Sequence, residues 1–360
     1  MIDAIYYQDI YLFVVTILTF FVMANYRSKK VYLKNRTGLA MTYGTMVLAL
    51  LMIFFIGTRP NSYVFADHMN YYNYYMRELG KPFHFTLITE NVLFDNFWML
   101  LSSHMVDIVW FYLSCALVYF GCMFIACKKL FPSDTMLAFL VCLAAFQTFA
   151  AGTNGFKNGA AASVFLVAIA YKDKKFFSIL MALASYGIHH SMQVLVAAYI
   201  ATFFIKSVKW YFYLWGLCVI LSAMHFTVVQ EYFATLTDEQ GAGYLRADGG
   251  DDFITGFRPD FILYSSMPVI VGWYMIFKQN VQSSSYDFIL KLYLLTNALW
   301  MLCMYASFTN RIAYLSWFMY PIVLLYPFLA THFRQKAHKF MPYIVYGHLG
   351  FTLFMHIIYY

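Results

Sequence analysis

The chain has 360 residues, of which 62% are hydrophobic and only 11% charged, with a mean hydropathy of +0.63. These values exclude an ordinary soluble domain and point to a polytopic helical membrane protein. The net charge of +7 would suit a nucleic-acid binder, but the basic residues are dispersed in short loops between apolar runs, a distribution that argues against nucleic acid.

At about 20 residues per crossing, the apolar runs read as about twelve spans: 10–25, 38–57, 106–127, 135–151, 158–171, 176–189, 191–205, 209–228, 261–277, 286–306, 311–330 and 341–358. The expected fold is an all-α integral membrane protein forming one polytopic domain over 1–360. The N-terminal MIDAIYYQDI carries two aspartates and no basic residue, so the first run reads as a retained span and not a cleaved signal. The connection YRSKKVYLKNRTG holds five Lys/Arg and no acid, which makes it cytoplasmic by the positive-inside rule. Alternation then puts CKKLFPSD, YKDKK, KSVK, FKQN and THFRQKAHKF inside. With the first loop, and with Asp287 at the inner end of the tenth span, this inward set holds sixteen of the 24 basic residues and three of the 17 acids. Two long segments, approximately 58–105 and 229–260, face outward. The first includes LITENVLFDNFWMLLSSH, which suits an amphipathic surface helix. Aromatic residues make up 21% of the chain; such rings favour the membrane interface and also stack on sugars.

The basic residues left outside are few: Arg59 after the second span, Arg77, Lys81, Lys157 in GTNGFKNGAAAS, Arg246, Arg258 in GFRPDF, and Arg311 in FTNRIAY. Arg77 and Lys81 flank Glu78 and read as local ion pairs. Arg59, Lys157, Arg258 and Arg311 open or close four different spans. They either pair locally with carboxylates and head groups or converge on one anion, for which guanidinium is suited by its bidentate fork. In TRPNSYVFADHMNYYNYYM, Asp67 and Tyr71 are four apart and share a face on a helix. Such a pair suits sugar binding or removal of a hydroxyl proton, or else a helix-terminal charge beside interfacial tyrosines. His189 and His190 close the sixth span, either as functional groups or bonded to backbone and water. Pro259 disfavours helix at Arg258 and frees its side chain to turn toward a cleft, with Asp260 as its partner or as a base. DGGDD lacks the EF-hand pattern, HEXXH and GxSxG motifs are absent, and the six cysteines form no CxxC pair. No cofactor and no metal ligand is assigned.

In their order and spacing, these residues resemble bacterial polysaccharide polymerases of the Wzy type, the EpsG-like branch, over about residues 55–320. The resemblance is carried by Asp67–Tyr71, Lys157 before GAAAS, His190–Ser191, Gly256 to Phe261 and Arg311. Lys157 stands where that family leads one to expect Arg, keeping the charge and losing the fork. The resemblance implies a C-type glycosyltransferase-like membrane fold acting on the outer face of the bacterial cytoplasmic membrane. It implies transfer of a growing glycan from undecaprenyl pyrophosphate to the distal sugar of a new lipid-linked oligosaccharide repeat. The implied partners are that lipid-linked repeat, membrane lipid, a chain-length regulator and a flippase. In this reading Arg258, Arg311, Arg59 and Lys157 bind the departing pyrophosphate, with Tyr71, His189 and Arg246 as further substrate contacts. Asp67 activates the acceptor hydroxyl, with His190 and Asp260 as alternatives. A secondary transporter, a glycan ligase or an O-acyltransferase using a histidine base are the competing readings.

Overall fold

The computed structural model describes residues 2–26, 37–235, 256–307 and 309–359. The expected cytoplasmic connection at 27–36 and the DGGDD stretch with Arg246 lie outside these residues. Every regular element among the described residues is helical, the form in which a chain satisfies its own backbone in lipid. Helices fall on all twelve expected spans. Five of them are long and apolar enough to cross a membrane by length and composition: Ala4–Ala24, Ile108–Leu130, Pro259–Lys278, Thr309–Leu329 and Lys339–Tyr359. Others are apolar but only 10–17 residues long, among them Phe156–Ala170, Lys175–Ile188 and Val208–Ala223. Length and composition therefore establish a multispan chain without establishing twelve crossings.

The chain divides into two compact units. The first comprises Met1–Gln193 with Phe328–Tyr360. Its helices are α1 (Tyr7–Tyr26), α2 (Thr37–Gly57), α3 (His68–Arg77), α4 (Val92–Ser103), α5 (Ile108–Leu130), α6 (Thr135–Leu143), α7 (Thr148–Thr153), α8 (Phe156–Ala170), α9 (Lys175–Ile188) and, near the end of the chain, Arg334–Phe354. Helix α5 packs between α2 and α8, and α8 packs on α9. The small residues of α8 permit close approach: a Cβ on Gly159 would lie 2.3 Å from the Ala151 carbonyl oxygen of α7, so only glycine fits. The expected surface helix forms as α4, but it packs on α3, α5 and α9, burying Phe94 and Asn96.

The expected span 135–151 is broken between α6 and α7 at AAFQ, which holds neither Pro nor Gly. Tertiary partners hold the break open. Four consecutive carbonyls at the end of α6 each meet a side chain: Val141 with His348 Nε2 at 3.1 Å, Cys142 with Thr148 Oγ1 at 2.6 Å, Leu143 with Tyr11 Oη at 2.8 Å, and Ala144 with Thr352 Oγ1 at 2.7 Å. These are the acceptors that a helix end orphans.

The second unit is Val194–Pro327. Here the helix Val208–Ala223 packs on Ser284–Leu302, which packs on Thr309–Trp317. Its interior carries bonded polar groups. Buried Asn297 accepts from Trp215 Nε1 at 2.8 Å and donates to Ser316 Oγ at 2.9 Å. Trp317 Nε1 donates to Ser265 Oγ at 2.8 Å. Lys291 Nζ donates to the Lys206 carbonyl. All six cysteines are free thiols.

Candidate functional site

In the first unit, four of the residues singled out from the sequence meet around one aromatic cluster. Buried Phe94, Phe111, Tyr112 and Phe156 form its centre, with Tyr71 and Ile188 packed against it. The cluster gathers the C-terminus of α2, the N-termini of α5 and α8, and the C-terminus of α9. These are the ends that alternation assigns to one side. The opposite ends carry lysines: Lys129 and Lys174 lie over the Tyr171 ring at 5.4 and 5.8 Å, and Lys172 pairs with Asp173 at 2.8 Å.

Arg59 is 3% exposed. Its Nη1 donates to the Ile56 carbonyl at 2.7 Å and its Nη2 to the Thr153 carbonyl at 3.0 Å. Both acceptors sit at helix C-termini, where the dipole is negative. The guanidinium also lies over the rings of Tyr112, Phe156 and Phe65 at 4.8, 5.3 and 5.9 Å. Among the described residues it has no carboxylate at ion-pair distance, and its Nε is buried without a partner. Burial lowers its pKa to about 10, which leaves it charged at neutral pH. Aromatic faces and helix-end carbonyls supply the compensation that an acid would otherwise give.

Asp67 is the residue before α3, half-buried, and its backbone N–H donates to Asn154 Oδ1 at 3.0 Å. Asn70 Nδ2 approaches its carboxylate at 3.4 Å. The expected register holds, since Tyr71 N donates to the Asp67 carbonyl at 3.3 Å and the Tyr71 ring meets Phe156 at 4.5 Å. Lys157 follows Phe156 and lies over the Phe94 ring at 5.5 Å. The turn GTNG is thus tied to the segment after α2 twice, through Arg59–Thr153 and Asp67–Asn154. No sequence signal marks Asn154, because asparagine in a Gly-rich turn is the ordinary case.

His68, next to Asp67, is fully buried. Its Nε2 meets Asn61 Oδ1 at 2.9 Å and its ring lies 4.4 Å from that of Tyr112. Burial first, and the Arg59 charge second, lower its pKa to about 3. A neutral imidazole is therefore built in beside the guanidinium.

His190 packs at the edge of this region. Its N–H donates to Asn91 Oδ1 at 3.0 Å and its Nδ1 lies 3.3 Å from Glu90 Oε2. His189 Nδ1 accepts from the Ser191 N–H at 3.1 Å and lies 2.9 Å from Ser191 Oγ. Glu90 and Asn91 carried no motif. Arg77 and Lys81 both pair with Glu78, at 3.4 and 3.0 Å.

The second unit holds Arg258, Asp260 and Arg311. Gly256 has φ of +110°, a conformation that favours glycine. Arg258 is non-helical, as Pro259 requires. Its side chain is buried and folds back instead of turning to an open cleft: Nε and Nη2 donate to the two Asp260 oxygens at 3.1 and 2.7 Å, and the guanidinium lies 3.9 Å over Phe261. Arg311 is exposed in the first turn of Thr309–Trp317. Arg246 lies outside the described residues.

A sequence model of the EpsG family matches residues 42–360. No curated protein and no solved structure matches the chain.

Proposed function

The chain belongs to the EpsG family, a multi-pass membrane family of glycosyltransferase-like polysaccharide polymerases. From that premise we propose that it polymerises undecaprenyl-pyrophosphate-linked oligosaccharide repeats on the outer face of a bacterial cytoplasmic membrane, with about twelve crossings and a C-type glycosyltransferase-like fold. The observation that carries this reading is the gathering of Arg59 and Tyr71 at the Phe156 ring, Lys157 over the adjoining Phe94 ring and Asp67 on Asn154, all at one end of the first unit. The opposite end of the same unit is lysine-rich, which supports an outward site by the positive-inside rule.

In the proposed reaction, a hydroxyl of the distal sugar on a fresh repeat attacks the anomeric carbon of the growing chain. The new C–O bond forms as the bond to undecaprenyl pyrophosphate breaks. The hydroxyl proton passes to Asp67, with His190 as the alternative acceptor. Lys157 stabilises the departing pyrophosphate, and phosphate binding by Arg258 and Arg311 is proposed from their sequence motifs alone. Arg59 has its Nη groups committed to two carbonyls, so it contributes field and position rather than direct contact. Asp260 is engaged by Arg258 and serves as its partner. The lipid-linked repeat is the substrate, and a chain-length regulator and flippase are the proposed partners.

The break between α6 and α7 is the feature that favours a transporter, because discontinuous helices build ion sites from free carbonyls. Here four carbonyls of the break are already engaged by side chains, which favours the polymerase. The test is a surface-glycan gel of a deletion strain complemented with wild type or Arg258→Ala. Loss of long polymer with survival of the single repeat supports the reading; unchanged polymer length in the deletion strain overturns it.

A further inference from the structure

The broken helix borders a cavity that the cluster above does not use. Its volume is about 330 Å³, and its lining includes Gln8, Tyr11, Phe146, Phe149, Thr352 and His356. Two irregular backbone segments meet there: the α6–α7 break, and the π-helical turn Met355–Tyr359 that carries His356. Helix breaks need a cause, and irregular backbone at membrane depth is tolerated where it is buried in protein or lines a cavity. The break has no Pro or Gly and is held by side chains from three helices, as described above. In a continuous helix through 144–147 those carbonyls would instead accept from N–H groups four residues further on.

The lining selects a ligand class. Tyr11 and Phe149 stand with ring centroids 5.3 Å apart, and Phe146 adds a third aromatic wall. Gln8 is half-buried and its amide makes no hydrogen bond to a described residue, so it offers both donor and acceptor. His356 Nε2 lies 2.7 Å from Asp9 Oδ1, a carboxylate behind the lining, which leaves the imidazole Nδ1 for a ligand hydroxyl. Among the described residues no Lys or Arg lines the cavity, so they do not build a phosphate site. The volume is near the lower end of small-molecule pockets, about 300–1,000 Å³, too small for an oligosaccharide or a long isoprenoid. Apolar ring faces, an amide and an imidazole–carboxylate pair fit a neutral, hydroxyl-rich ring. The cavity and the Arg59 cluster are linked through two helices, though they have no lining residue in common. Phe149 and Thr153 lie on α7, and Tyr7, one turn before Tyr11, is 5.6 Å from the Phe65 ring over which Arg59 lies.

We propose that this cavity is a subsite for a single neutral pyranose, holding one sugar of the glycan beside the cationic cluster. The proposal rests on the polysaccharide reading. Full-length protein in detergent is titrated with the methyl glycosides of glucose, galactose and N-acetylglucosamine, with binding read by saturation-transfer NMR. Wild type is expected to give saturable binding of at least one glycoside. Ala145→Phe, which fills the cavity, is expected to weaken it tenfold or more. Gln8→Leu, which keeps the volume and removes the amide, is expected to weaken it several-fold, and it keeps the test decisive should the filled variant fail to fold. Absence of saturable binding to wild type overturns the subsite, as does binding that neither substitution changes. The two readings fail separately. Cavity-dependent sugar binding with unchanged polymer length in the deletion strain sinks polymerisation and leaves the subsite; a lost polymer ladder with no sugar binding does the reverse.

Discussion

Arg59 Nη2 donates to the carbonyl of Thr153 at 3.0 Å across 94 residues of sequence, inside a box of three aromatic rings. The bond joins the end of α2 to the end of α7, and the Asp67–Asn154 bond repeats the tie on the same turn. The cation is therefore part of the frame that sets where Asp67 and Lys157 stand.

Arg59→Met removes the charge with little change in bulk and leaves the Thr153 carbonyl buried and unmet. An orphaned buried acceptor costs about 1–3 kcal/mol. Thermal denaturation of the purified protein in detergent should show a lower melting temperature for this variant. Arg59→Lys should fall between, since one ammonium lacks the fork that meets two carbonyls. Melting at the wild-type temperature for Arg59→Met would contradict the framing role.

Asp67→Asn retains the backbone bond to Asn154 and removes the carboxylate. It should abolish long polymer on a surface-glycan gel at normal expression, because an amide takes up no proton from a hydroxyl. Asn154→Ala keeps the carboxylate but unties it, and polymer should shorten or become sparse rather than vanish. Equal ladders for Asp67→Asn and wild type would move the proton acceptor to His190, with His190→Gln as the deciding variant.

Asp260→Asn separates two roles for that side chain. As the partner of Arg258, Asp260 should tolerate an amide with reduced yield, since one oxygen acceptor remains for the guanidinium. Arg258→Ala should lose the ladder entirely, and Arg258→Lys should recover only part of it. Complete loss in Asp260→Asn with intact folding would make Asp260 a base.

The first unit should weaken in acid through His68. Its folded pKa of about 3 lies below the ordinary histidine value of about 6.5. Between those values the unfolded chain binds the proton and the folded chain does not, so stability rises with pH through that window. The contribution is complete above about pH 6.5 and is lost progressively toward pH 3, with a full size on the order of a few kcal/mol. Melting temperatures at pH 7.5 and 4.5 should differ less in His68→Gln than in wild type. An identical pH difference in both would assign acid sensitivity to other groups.

The sequence by itself determined the class of the fold and the residues to watch. Apolar length and the segregation of sixteen basic residues with only three acids are properties of composition along the chain, so an all-helical, multispan class could be read from the sequence alone. Asp67–Tyr71 was legible because a four-residue spacing on a helix is local geometry. Contacts between distant segments were decided only by the tertiary structure. Arg59 is not free for ligand because carbonyls 3 and 94 residues away bind it. Arg258 does not open toward a cleft because Asp260 lies within reach of both its donors. The break at AAFQ was unreadable for the same reason. No residue there disfavours a helix, and the side chains that end it come from Tyr11, Thr148, His348 and Thr352, three of them far away along the chain. Hydrogen bonds and burial act through space, so a linear pattern locates charge and oil but not the partner that a buried polar group finally meets.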